Sequence, residues 1–469
     1  MLLFPNLQED IGIPQYIQLY DYIKKEIYSG TLVISTKLPS VRKLSEFLAV
    51  STTVVEMAYN QLVLEGFIES KPRSGYFVQD FTDLQSKSVV MEESRGRNST
   101  NKGSTFTYDF HLSLNDFSQF PYSIWKSLYQ EALNSDHENN LFFGDPQGEM
   151  GLRTAISKYL QQVRGVVCTP EQIIIGAEQF LLLSILSLML KPVYSKIAVE
   201  ETSYTLLPST FEQMGFYLSY LPMENDGVSI DGMYGSEVKI MAVSPSHSFP
   251  VGVYMSMDKR FEILRWAEKV NGMIIEDDYD GEFYYGKPYP AIQGLKVDSP
   301  VIYLGGFSQV MAPALCISYM VLPQSLMPRF LEVKNKIYFE QSSSKLHQRA
   351  LELFIDRGFM ERHLRKMRTL YRKKHDLLIE SIKKYFGDTC KVKGLYGGFH
   401  LILQIDHVKT VEELVLIAQQ EGIRVAKAFH NKDVEKKEFI LGFGGIPEEK
   451  IDEGIKKLNH VWFGSSNLS

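Results

Sequence analysis

Cysteine is scarce in this chain: three in 469 residues, Cys168, Cys316 and Cys390, far apart and in no metal-ligand spacing. That argues against a disulfide framework and for a reducing compartment. Long apolar runs are missing as well. The most apolar stretch, Phe180–Leu190, is about half a membrane span and carries Ser184 and Ser187. The first residues, MLLFPNLQED, lack the basic start of a signal peptide. An excess of positive charge is also lacking; the net charge of -6 gives no global attraction to nucleic acid. These absences point to a cytoplasmic protein without a membrane partner or a metal site. What remains is ordinary for a globular chain, 44% hydrophobic and 23% charged, with a length suited to two or three domains.

The first 80 residues read as three helices and a hairpin. Tyr16, Leu19, Tyr20, Ile23 and Ile27 recur at helical spacing and stop at Gly30. Ser40 is placed to cap a second helix with Leu44, Phe47 and Leu48 on one face, and Ser51 to cap a third with Val54, Ala58, Leu62 and Leu64. Phe67–Ile68 and Gly75–Val78 are two short apolar runs around a polar turn. This order, with a short turn at Ala49–Thr52, is that of a winged helix-turn-helix. The stretch KLPSVRKLSEFLAVSTTVVEMAYNQLVLEGFIESKPRSGYFV resembles the GntR-type DNA-binding domain along its length. The resemblance implies that Arg42, Ser51, Thr53, Arg73 and Gly75 lie at the surface of double-stranded DNA, on promoter half-sites. It also marks a departure: the recognition helix opens Ser51-Thr52 where the family usually has Ser-Arg. Residues 1–80 hold seven cations against nine anions, so attraction to phosphate must come from local placement.

Residues 81–107 are rich in Ser, Thr, Asn and charge, with no sustained period, and read as a flexible linker. From Tyr108 onward short strands alternate with amphipathic helices. Expected strands are Gln172–Ile175, Lys196–Val199, Lys239–Val243, Gly272–Glu276, Val301–Leu304 and Ile317–Val321; expected helices include Gly151–Val163, Glu178–Leu190 and Asp258–Val270. Such alternation indicates an α/β domain with a mostly parallel sheet. Phe330–Phe386 is mostly helical by pattern, and its basic patch at Arg362–Lys374 reads as a solvated face. The remainder, to about Phe463, reads as a smaller α/β lobe.

Residues 108–469 resemble the fold-type I pyridoxal-phosphate aminotransferases, on the segments FFGDPQGEMGLRTAISKYL, VSPSHSFPVG, IIEDDYDGEF, VIYLGGFSQVMAPALCISYMVLP and YGGFHL. Joined to a GntR-type head, the whole is similar to the MocR family of bacterial regulators, which includes GabR. The resemblance implies Asp277 on the pyridine nitrogen of pyridoxal phosphate, Tyr279 on its ring hydroxyl, Tyr204 stacked on the ring, His247 beside it and Ser308 at the phosphate. It also exposes substitutions. Gln309 holds the place of the lysine that forms the imine, and no lysine lies between Lys296 and Lys334. Cys316 stands where the family has an arginine for the phosphate, and Glu178 enters the first phosphate turn. A lost charged hydrogen bond costs roughly 1.5–3 kcal/mol. No arginine for a substrate carboxylate is assigned: Ile440 stands in the usual place, and Arg424, Lys427 and His430 align ambiguously.

Transamination needs an amine to hold the aldehyde and move a proton, and Gln309 is an amide. The expected protein is a homodimeric DNA-binding regulator whose body has lost transaminase activity and senses a small effector, with pyridoxal phosphate held non-covalently or absent. An aminotransferase-type enzyme, or a regulator responding to residual cofactor binding, stays open as the alternative.

Overall fold

A computed structural model describes residues 14–71, 74–79, 106–111, 115–135, 140, 142–250, 252–286, 288–337, 343–428 and 436–464. The chain divides into two compact units, Met1–Lys102 and Gly103–Ser469. Most of the expected linker, together with MLLFPNLQED, Arg73 and His430, lies outside the described residues. Among the described residues no helix is long and apolar enough to cross a membrane.

The first unit has helices α1 (Gln15–Tyr28), α2 (Val41–Leu48) and α3 (Thr52–Leu64), then strands β1 (Ile68–Lys71) and β2 (Gly75–Val78). Each serine expected as a cap is one: the Ser40 hydroxyl accepts from the Lys43 amide, and Ser51 from the Val54 amide. Such a bond satisfies an otherwise unpaired first-turn amide and stabilises a helix by about 1 kcal/mol. The turn between α2 and α3 puts Ala49 in the left-handed region at φ 54. β1 and β2 pair antiparallel from Ile68↔Val78 to Lys71↔Gly75. Two expected faces are corrected. Leu64 is 87% exposed, and α3 buries Val55, Ala58, Tyr59 and Leu62 in place of Val54 and Leu64. Phe47 is likewise exposed, while Leu44 and Ser45 are the buried side of α2. The phase is set by packing: α3 lies against α1, whose Leu19, Tyr20 and Ile23 are buried with it, and the Tyr59 hydroxyl donates to Pro39 O at 3.0 Å.

The second unit is built on seven strands: β3 (Ile173–Gly176), β4 (Lys196–Glu200), β5 (Tyr217–Leu221), β6 (Ile240–Val243), β7 (Met273–Asp277), β8 (Val301–Gly306) and β9 (Ser318–Val321). Their order across the sheet is β3-β9-β8-β7-β6-β4-β5. β4 to β8 pair in parallel, and β9 runs antiparallel to both β8 and β3. Alternate residues serve opposite faces, as the two-residue strand period requires. Ile275, Ile302, Leu304 and Met320 pack with the helices Gln179–Leu190, Leu206–Gln213 and Met327–Lys336. On the other face Ile274, Val301 and Met241 pack with Met257–Val270, while Tyr303, Tyr319 and Val321 join the core shared with Met150–Val163 and Phe359–Phe386. Burial on both faces explains why these strands read as short continuous apolar runs.

A smaller antiparallel sheet follows, β10 (Cys390–Lys393), β11 (His400–Asp406), β12 (Ala426–Lys427) and β13 (Lys436–Gly442), in the order β10-β11-β13-β12. It packs with Phe359–Phe386 and Glu448–Phe463. The basic patch on the long helix is not wholly a solvated face. Lys374 is buried, donating to Asp116 at 2.7 Å and to Gly444 O at 2.9 Å, and Arg368 donates to Glu282 O.

Candidate functional site

A cavity of about 220 Å³ opens where the parallel strands end. The carboxyl ends of parallel strands in an α/β sheet are where ligands gather, because loops diverge there. β3 leads to Glu178 and Gln179, and β7 ends at Asp277 with Tyr279 and Asp280 just beyond. β8 ends at Gly305 and Gly306 and is followed by Ser308 and Gln309; β9 opens at Ser318. Tyr204 after β4 and Phe249 after β6 add aromatic walls. The small sheet contributes Phe399 and His400.

Second contacts fix this lining. Asn115 Nδ2 donates to the backbone carbonyls of Ser308 and Gln309 at 3.1 and 3.0 Å, holding the turn after β8. Gln179 Nε2 donates to Asp277 Oδ1 at 2.8 Å. His247 Nδ1 lies 2.9 Å from both the Tyr279 hydroxyl and Asp280 Oδ2. Gly398, at φ +75, lets the backbone pass over the His247 ring, which a Cβ there would strike. Tyr204 meets Phe249 edge-on at 5.4 Å between ring centres.

Burial sets the electrostatics. Desolvation pushes the Asp277 carboxyl up to about 7, although Gln179 lowers it, and the charges of Asp278 and Asp280 raise it further. No cation lies beside Asp277 among the described lining residues, so water removed from around the carboxylate is not replaced. Burial also raises Asp280, against the opposing pull of His247. Asp278 differs. Burial raises it, but the Arg164 charge and a Tyr303 hydrogen bond outweigh that and hold it below the usual carboxylate range. Burial and the neighbouring His247 push His400 down to about 3, so it is neutral in the physiological range.

The sequence-expected residues divide into three groups. Tyr204, Asp277, Tyr279, Ser308 and Gln309 line the one cavity, with Glu178 at the helix start beside them. His247 lies behind the wall, reaching the cavity through Tyr279 and Asp280. Cys316 is exposed, turned toward Pro313 O, and outside the lining. Among the described residues no lysine or arginine lines the cavity. Arg424 pairs with Asp109 at 3.6 Å and Lys427 with Glu412, while Ile440 is buried against a cluster containing Phe249. Sequence reading missed Asp280, Phe249, Phe399 and His400. All four sit inside stretches that resemble the aminotransferases, so the signal was present but carried no role.

In the first unit, Ser51 and Thr53 stand exposed at the start of α3. Arg42 is exposed on α2 and pairs with Glu46 at 3.0 Å. Gly75 begins β2 at φ +109, a backbone state that leaves glycine the fitting residue at the wing. Glu56 and Met57 share the exposed side of α3, so this helix face carries little positive charge of its own.

A winged helix-turn-helix carried on an aminotransferase-type body defines a class: DNA-binding regulators built on an enzyme fold. Residues 15–78 match the bacterial regulatory proteins of the gntR family, and residues 109–458 match aminotransferase class I and II. The chain is 36% identical over 465 residues to the uncharacterized HTH-type transcriptional regulator YdeL of Bacillus subtilis (strain 168), covering 98% of this chain and 100% of that protein. It is 30% identical over 476 residues to the probable rhizopine catabolism regulatory protein MocR of Rhizobium meliloti, covering 97% and 95%. The fold is similar to that of Pyrococcus horikoshii kynurenine aminotransferase, solved in complex with PMP, with a TM-score of 0.67 and 22% identity over 76% of this chain and 91% of that one. The chain belongs to the MocR/GabR family, DNA-binding transcriptional regulators in which a GntR domain precedes an aminotransferase class I and II domain.

The aminotransferase fold family binds pyridoxal phosphate, and this cavity fits that group only in part. Asp277, Tyr279 and Tyr204 suit a pyridine ring. The lining has no amine for an imine and no cation for a phosphate among the described residues. Gln309 Oε1 is buried without a hydrogen-bond partner, and Glu178 adds an anion to the lining. The residues present do not fit covalently held pyridoxal phosphate.

Proposed function

We propose that this chain regulates transcription through a body that binds an effector without catalysing transamination. In this reading residues 1–80 hold DNA, residues 81–107 tether them, and residues 108–469 dimerise and carry the effector cavity, in the cytoplasm. Arg42, Ser51, Thr53, Arg73 and Gly75 are the DNA-facing set. Tyr204, Asp277, Tyr279 and Ser308 face the effector, and His247 positions Tyr279 and Asp280. The effector is held without a covalent bond. The observation that carries this reading is Gln309 in the cavity lining, an amide in place of an amine, with no lysine beside it among the described residues.

Titrating the purified protein with pyridoxal phosphate tests it. No imine absorbance and no borohydride-reducible adduct are expected. An adduct on any residue would sink the non-catalytic reading. Gln309→Lys alone is expected to leave pyridoxal phosphate weakly held, because Glu178 and the missing cation remain. Tight binding restored by that single change would show that the phosphate end is intact. DNase footprinting on the neighbouring promoter identifies the half-sites and checks the DNA-facing set.

A further inference from the structure

The cavity carries hydrogen-bonding groups without partners. Three carboxylates line it, Glu178, Asp277 and Asp280, and no lysine or arginine does among the described residues. Asp280 lines it, is 1% exposed, and leaves Oδ1 with no hydrogen-bond partner among the described residues. Gln309 leaves Oε1 in the same state. Asp277 has one oxygen engaged by Gln179 and the other uncommitted. Glu178, at the start of the helix Gln179–Leu190, makes no capping bond with its side chain. An unpaired buried acceptor is costly, and those of Asp280 and Gln309 belong to residues that line a cavity where a ligand can supply the donor.

Two further features narrow the donor. Four aromatic side chains, Tyr204, Phe249, Tyr279 and Phe399, line the same space. Aromatic faces are electron-rich and attract a cation placed over them. No lysine or arginine among the described lining residues competes for those faces or neutralises the carboxylates. A phosphate offers acceptors and negative charge to this site and would meet Glu178, Asp277 and Asp280. An ammonium offers up to three N–H donors and a positive charge.

We propose that the cavity takes a small organic cation, a primary or secondary ammonium on an aromatic or aliphatic body, in place of a phosphate-bearing ring. The proposal rests on the effector reading above and names the ligand class for it. The ammonium sits among Asp277, Asp280 and Gln309, and the body of the ligand lies against the aromatic walls. Glu178 at the rim adds longer-range attraction.

The test uses the full chain and four probes of similar size or known relation to the fold: phenethylammonium, phenethyl alcohol, 3-phenylpropionate and pyridoxal phosphate, each followed by calorimetric titration. Phenethylammonium is expected to bind at least about tenfold tighter than the alcohol, since a charged hydrogen bond contributes roughly a decade or more. Asp277→Asn is expected to weaken it by about tenfold or more. The exposed Glu178→Gln weakens it by about threefold and reduces its salt sensitivity. Glu178→Lys is expected to improve pyridoxal phosphate binding while weakening the amine. Tighter binding of 3-phenylpropionate or pyridoxal phosphate than of phenethylammonium would overturn the cation proposal and leave the effector reading standing. Failure of phenethylammonium to bind at millimolar concentration also overturns the proposal. Gln309→Trp, which fills the cavity, then decides the rest: an altered promoter footprint keeps the effector reading, and an unaltered one removes it as well.

Discussion

In the winged unit charge stays where water reaches it. Arg42 and Glu46 are exposed partners, as are Lys71 and Glu69, and Lys24 with Glu65 is only half buried. In the body, acids go under the sheet ends: Glu200, Glu276, Asp277, Asp278, Asp280 and Glu282 are all buried. Water screens the first set, so each pair contributes little, about 0–1 kcal/mol. Nothing screens the second set, so each carboxylate must be hydrogen-bonded, paired or protonated. Glu276 accepts backbone amides from Ile292 and Gln293 at 2.7 and 2.9 Å, and Glu282 accepts from the Tyr159 hydroxyl at 2.8 Å. Asp278 has Arg164 at 2.7 Å. Those three are tied to the fold and lie outside the cavity lining, although Asp278 keeps Oδ1 without a hydrogen-bond partner. Asp277 and Asp280 face the cavity with capacity left over. The comparison separates acids that serve structure from acids that wait for a ligand, and four substitutions probe it.

The largest expected effect is Arg164→Met. It strips Asp278 of its cation and also removes bonds to Gly281 O and the Ser246 hydroxyl. A buried pair broken from one side costs about 3–5 kcal/mol, read as a shift in the urea midpoint of the body. A loss no larger than that of a surface pair would place Asp278 among the cheap charges.

Asp277→Asn is expected to act in the opposite direction, by an amount that grows as pH rises from the ordinary carboxylate range to about 7. Burial raises the Asp277 pKa from 3.8 to about 7. Its contribution to stability is therefore fully present below the ordinary carboxylate range and is lost as pH rises through about 7. The asparagine has no such loss. Above that range the variant is expected to be more stable by on the order of 2–4 kcal/mol, and only below the ordinary carboxylate range do the two converge. Urea unfolding at two pH values measures it. A variant destabilised at both would make Asp277 a structural acid like Glu276.

Ser51→Ala removes the hydroxyl that accepts the Val54 amide and is expected to cost the winged unit about 1 kcal/mol. Thermal unfolding of the chain reports it in that unit's transition. The smallest expected effect on stability is that of Arg42→Ala, within about 0.5 kcal/mol, since its pair with Glu46 is exposed. Its effect appears on DNA: the slope of log affinity against log salt falls by about one unit for one phosphate contact. An unchanged slope removes Arg42 from the backbone contacts.

Much of the fold was legible. Ser40 and Ser51 announce their helices because capping is a bond to an amide three residues on. The strands of the large sheet read as apolar runs because both faces are covered. The helix faces were less legible: Val54 and Leu64 scan as well as Val55 and Tyr59 until α1 is in place. Half of the cavity was legible through resemblance, namely Asp277, Tyr279, Tyr204, Ser308 and Gln309. Asn115 was not, although it holds the Ser308–Gln309 turn from 194 residues away. Cys316 looked like a change in the site, yet it turns away toward Pro313.

By itself the sequence determined what near neighbours decide: the caps, the strand runs, the amide at position 309 and the family that these patterns mark. Only the tertiary structure decided which charges leave water. Asp277 and Asp278 are adjacent in the chain, yet burial lifts one to about 7 while Arg164, 114 residues distant, holds the other low. Desolvation and pairing depend on atoms brought together across the fold, and no spacing along the chain encodes them.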